Sequence, residues 1–257
     1  MRSMADPIEE LHLSNSPLAR VLCQLRWPKL TWFKADDVAS KLGDVIGSDY
    51  PFCETQQEAQ LMITPQGVTH QPGDTLYKLI SGDRSWTVTL GSTFMALDTV
   101  KYSGHEDFID RVAQVFDALL EAAPIPGLSR LGYRYTNRIT DASDLAALTS
   151  YFRPDILGAI AQGEAQGLVH SANESVYSDG DGFLLVRTAL LRPNSSIDPA
   201  LPAVETKSWV LDLDAYIELA PAGLHPRNVR ALAKDQADRA RRHFRELITE
   251  DFRERFK

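Results

Sequence analysis

The sequence predicts an α+β fold, antiparallel sheets with packed helices, and three observations carry that prediction. Runs with apolar residues at every second place recur, as in "RLGYRYTNRI" (130–139) and "WVLDLDAYI" (209–217), the pattern of a half-buried strand. Two longer segments, 104–123 and 226–248, place apolar residues three and four apart, on one helical face. Strands also come in groups between helices, which favours antiparallel pairing over alternating βαβ units.

"SPLARVLCQLRWP" (16–28), rich in Val, Leu and Trp and bounded by Pro17 and Pro28, reads as the opening strand. "KADDVASKLGDVIG" (34–47) spaces Val38, Leu42 and Ile46 four apart and reads as a helix. Short strands are expected at 59–67 and 75–81, and one or two more in 84–102 with a turn at Gly91–Ser92. The clearest helix is 104–123, where Phe108, Val112, Val115, Phe116 and Leu119 share a stripe and Glu106 and Asp107 suit the first turn. "PIPG" (124–127) ends it, and the strand 130–140 follows.

A second helix should start near 140, capped by Asp141 or Ser143, with a short helical piece at 154–162. Residues 168–193 read as a hairpin turning at "SDGDG", whose Asp-Gly pairs supply positive φ. Strand 207–219 and a basic helix from about Pro226 complete the chain, with Thr249 capping a last turn anchored by Phe252 and Phe256. The order divides into an N-terminal half (10–140) and a C-terminal half (141–257). "RSWTVTL" before helix 105–122 has a counterpart in "KSWVLDL" before helix 226–248, so an internal duplication of a strand–helix–strands–helix half is expected.

At 257 residues, 44% hydrophobic and 24% charged, the chain can bury a sizeable core. A net charge of −8 argues against coating nucleic acid or anionic membrane with the whole surface. The charge is uneven: from Leu224 to Lys257 ten Lys/Arg face six Asp/Glu. That basic end reads as a docked helix with a solvated side, and nucleic acid is a lesser alternative, because aromatic residues are not interleaved with the basic ones. Cys23 and Cys53 fit no metal spacing and read as buried thiols. No secretory leader and no membrane-length apolar run is present, so a cytoplasmic protein is expected.

Motifs for catalysis are absent: no GxSxG, HExxH, GxxxxGK[ST] or GxGxxG occurs, and the six histidines are scattered. No cofactor is expected. "SDGDG" lacks the later glutamate of a calcium loop, since residue 190 is Leu190. Two clusters remain. Asp212 and Asp214 share one face of their strand; they could hold a divalent cation, and the simpler reading is the wet face of a half-exposed sheet. Arg130, Arg134 and Arg138 share one face of theirs with Thr136, while Leu131, Tyr133, Tyr135 and Ile139 take the other.

Guanidinium suits flat, two-point contacts with carboxylate or phosphate. If the two strands share a sheet, Arg134 and Arg138 can meet Asp212 and Asp214 across it; one reading is a structural Arg–Asp ladder joining the halves, and the other is an anion or acidic-peptide groove.

"SPLARVLCQLRW", "WTVTLGSTFMALDTVKYSGHEDFIDRVAQVFDAL", "RLGYRYTNRI" and "HFRELITEDFRERF", in that order, resemble one uncharacterised, sporadically distributed bacterial family of similar length. The third resembles its Arg-Gly-aromatic-Arg-Tyr-x-Asn signature. The resemblance implies no activity and no catalytic residues; its patchy distribution suits accessory genes such as toxin–antitoxin or defence modules. The expected function is therefore a non-enzymatic binding or regulatory protein with a protein partner. The alternative is a metal-dependent enzyme on a phosphate-containing substrate, with Asp212 and Asp214 on the metal and Arg134 and Arg138 on the anion.

Overall fold

The structure is a computed structural model that describes residues 13–64, 67–162, 167–198, 201–218 and 228–257. Among these residues the order is β1 (Leu18–Arg26), α1 (Ala35–Ile46), β2 (Phe52–Thr64), β3 (Gly67–Ile80), β4 (Trp86–Leu90), β5 (Phe94–Thr99), α2 (His105–Ala122) and β6 (Arg130–Ile139). It continues with α3 (Ala142–Ala146), α4 (Leu148–Tyr151), β7 (Ser171–Asp179), β8 (Gly182–Leu191), β9 (Ser208–Glu218), α5 (Val229–Leu247) and α6 (Glu250–Phe256). The strands form an antiparallel sheet in the order β2-β3-β4-β5-β1-β6-β9-β8-β7, which makes the fold α+β as expected. No helix among the described residues is long and apolar enough to cross a membrane.

The chain divides into two compact units. One comprises Val21–Tyr133 with the described part of Ile217–Lys234; the other comprises the described residues up to Arg20, Arg134–Tyr216 and Asp235–Lys257. In the first unit, β1 turns Val21, Cys23 and Leu25 fully inward, and α1 and α2 supply Leu42, Phe108, Val112 and Leu119. Phe108 of α2 stacks on Trp86 at 5.6 Å between ring centres and meets Tyr133 edge-on at 5.3 Å. In the second unit, Trp209 of β9 lies 4.5 Å from Phe152, which lies 5.1 Å from Phe252 of α6. Thr249 caps α6 by accepting from the Phe252 amide, as its sequence position suggested.

Several expectations are corrected. Short strands at 59–67 and 75–81 are instead one long hairpin, β2 with β3, whose register shifts between Gln57 and Ala59. The piece at 154–162 is two short 3-10 turns, Pro154–Ile156 and Gly158–Gln162. Of the two expected cap residues, it is Asp141 that caps α3, as the sequence allowed, accepting from the amides of Ser143 and Asp144. Cys53 is exposed, whereas Cys23 is buried. Trp86 lies on β4, with β5 between it and α2, whereas Trp209 lies on the strand directly before α5, so the two tryptophans do not hold matching places. Pro226, His12 and His225 lie outside the described residues, as does the His70 side chain.

Candidate functional site

The site grows from two neighbouring strands of the second unit. Period-two alternation puts Arg134, Thr136 and Arg138 of β6 on one face, and Val210, Asp212 and Asp214 of β9 on one face. That face is not wet: Asp212 is fully buried and Thr136 nearly so. The reason is the segment after β8. Leu201 from that segment joins Val210, Ala189 and Leu191 in a buried cluster and roofs this side of the sheet. Asn137, on the tyrosine side of β6, is also buried, so β6 is covered on both faces from Leu131 onward apart from its arginines.

Under that roof Arg134 bridges two carboxylates. Its Nε donates to Asp212 Oδ1 at 2.6 Å, and its Nη1 lies 2.7 Å from Asp198 Oδ2. Thr136 Oγ1 donates to the same Asp212 oxygen at 3.0 Å. Burial by itself would lower the Arg134 pKa; the hydrogen bond to Asp212 and the charges of Asp212, Asp198 and Asp214 outweigh it and hold the value above the ordinary one. Arg134 is therefore a permanent cation locked between strand and loop. Asp212 Oδ2 is buried with no hydrogen bond among the described residues.

Arg138, four places on along the same face, differs. It does not reach Asp214: its Nη1 donates at 2.5 Å to the Pro202 carbonyl oxygen. Its Nε and Nη2 are buried without a hydrogen-bond partner among the described residues. Desolvation, with no carboxylate among the described residues to oppose it, lowers its pKa. Arg130 is half-buried, four residues before Arg134 on β6.

The structure thus brings together Arg134 and Asp212 and sets Asp214 within electrostatic reach of Arg134. It adds Asp198, which sequence reasoning missed because nothing in "NSSIDPALPA" announces a partner for a strand. For a metal, the donor set is poor: Asp212 Oδ1 already accepts two hydrogen bonds, and among the described residues no three His, Cys, Asp or Glu side chains are grouped to hold an ion. On the basic C-terminal segment, Arg241 pairs with Asp238 and Arg253 with Glu250 on their own helices, and Arg255 pairs with the distant Asp144 of α3.

No protein-family model matches the chain, and no curated protein matches its sequence.

Proposed function

We propose that this is a cytoplasmic, non-enzymatic binding protein that recognises an acidic group on a protein partner, with Arg138 as the contact and Arg134 as its support. One observation carries the reading: Arg138 holds a guanidinium edge without an acceptor among the described residues, in surroundings that disfavour its charge. A buried donor left unmade works against folding, so such a group calls for a ligand that completes it. The Nε–Nη2 edge is the fork that a carboxylate fits with two parallel bonds. Arg134, by contrast, is already filled by Asp198 and Asp212 and serves to fix the strand beneath the roof. Because the open edge is covered in the unbound protein, a partner displaces the Pro202 segment as it docks.

The family resemblance extends the reading to a neutraliser or sensor in a bacterial defence or toxin–antitoxin pair. A duplicated half is part of the same proposal. With β6 taken as the opening of the second run rather than the close of the first half, each run opens with a strand and a helix, continues through a meander and reaches a long helix; in both, the first strand neighbours the last, β1 beside β5 and β6 beside β9.

The test is affinity purification from a lysate of the source organism with wild type and Arg138→Gln, alongside calorimetric titration with Mg²⁺ and Mn²⁺. The proposal expects one stoichiometric partner with wild type, its loss with Arg138→Gln, and no metal heat. Absence of any partner overturns it. So does metal binding that disappears in the Asp212→Ala, Asp214→Ala double variant, which restores the metal-enzyme reading.

A further inference from the structure

Among the described residues the sheet ends on β7, and none of them adds a strand to its outer edge. Natural edge strands avoid pairing with other chains by covering the edge with a helix or loop, or, on the strand itself, by being short, by carrying proline or lysine, or by bulging. β7 carries none of the devices of the strand itself: it is nine residues long, contains no Pro or Lys, and pairs with β8 in unbroken register from Ser171↔Leu190 to Asp179↔Gly182. The strand at the other end of the order, β2, has its register broken between Gln57 and Ala59. Every side chain from Ala172 to Ser178 is exposed. Two large apolar ones, Val176 at 56% and Tyr177 at 43%, stand in water on this strand. The one carboxylate in this stretch, Glu174, is already held by Arg187 Nε at 2.5 Å.

The hairpin fixes which backbone groups are available. A two-residue turn at Gly180–Asp181, with Gly180 at φ +60°, makes Asp179 and Gly182 a hydrogen-bonded pair. Alternation then points the amides and carbonyls of Ser171, Asn173, Ser175 and Tyr177 toward β8. Those of Ala172, Glu174, Val176 and Ser178 point outward.

We propose that this edge pairs with the same edge of a second copy of the chain, antiparallel, about a two-fold axis through Ser175. That register places Ala172 opposite Ser178 of the second copy and Glu174 opposite its Val176, so all four outward residues find hydrogen-bonding partners. No carboxylate faces another, whereas a slip to an axis at Glu174 sets two glutamates against each other. Self-pairing also closes the edge in both copies at once, as a two-fold interface requires. The inference rests on the edge alone and is independent of the role proposed for Arg138.

Sedimentation and cross-linking together test it. Wild type at micromolar concentration should sediment at twice the chain mass of 28.6 kDa. Val176→Lys should sediment as a monomer, and so should Val176→Pro, which removes an outward amide and leaves the β8 ladder intact. In a Cys53→Ser background, which removes the exposed native thiol, Ser175→Cys should form an intermolecular disulfide under mild oxidation, because facing residues on the axis lie within disulfide reach. Tyr177→Cys, which faces Asn173 of the second copy, should cross-link far more slowly. A monomeric wild type, even one whose edge takes up a different extended chain, overturns the proposal. A dimer that survives Val176→Lys, or equal cross-linking at 175 and 177, overturns it as well.

Discussion

Arg255 grips the buried carboxylate of Asp144 through two parallel bonds, Nε to Oδ1 at 2.8 Å and Nη2 to Oδ2 at 2.9 Å, and so ties α6 to α3 across 111 residues of sequence. Tyr151 donates its hydroxyl to the same Oδ1 at 3.0 Å. Asp144 is 4% exposed and serves both donors, so weakening it disturbs the buried Tyr151 hydroxyl, while Arg255, whose side chain is 46% exposed, can turn to water. Asp144→Asn should lower the melting temperature by about 3–8 °C, and Tyr151→Phe by less. Thermal unfolding by circular dichroism checks this; an unchanged melting temperature for Asp144→Asn would mean the clamp is idle.

His243 on α5 makes stability depend on pH. Burial lowers its pKa below the ordinary 6.5, the charge of Arg153 adds to the effect, and Glu246 and Asp155 oppose it. The Tyr177 ring lies 5.3 Å away. The unfolded chain therefore binds this proton more readily than the folded one, so stability rises with pH through the window just below 6.5 and is lost as pH falls through it. Melting temperatures between neutral and mildly acidic pH should fall, and His243→Gln should flatten that slope. An identical slope in the variant would assign the effect to other groups.

Much of this architecture was legible in local pattern. Periodicity located β1, α1, α2, β6 and α5, because each buries a regular stripe such as Phe108, Val112 and Leu119. The long β2–β3 hairpin was obscured because "ETQQEAQ" has neither an apolar stripe nor β-branched residues beyond Thr55. Its strand character comes from pairing with β3 rather than from its own side chains. At the site, the Arg134–Asp212 pair was foreseeable from two alternating strands, and the roof was not. Asp198 and Leu201 reach the sheet from an irregular segment, and Asp144 meets Arg255 through tertiary contact alone. Local spacing cannot encode such meetings. Arg138 was misjudged for the same reason: its partner is a backbone carbonyl, which any residue could have provided.

The central claim is that two arginines on one strand face have opposite roles, Arg134 holding the fold and Arg138 awaiting a partner. Its most direct test is thermal and denaturant unfolding of Arg134→Gln beside Arg138→Gln. Arg134→Gln removes the charge partner of the fully buried Asp212 carboxylate, leaves it the Thr136 hydroxyl, and should cost about 3–5 kcal/mol. Arg138→Gln removes a desolvated charge that faces no carboxylate among the described residues and should leave stability equal to or above wild type. Equal losses in the two variants, or a stable Arg134→Gln, would contradict the account.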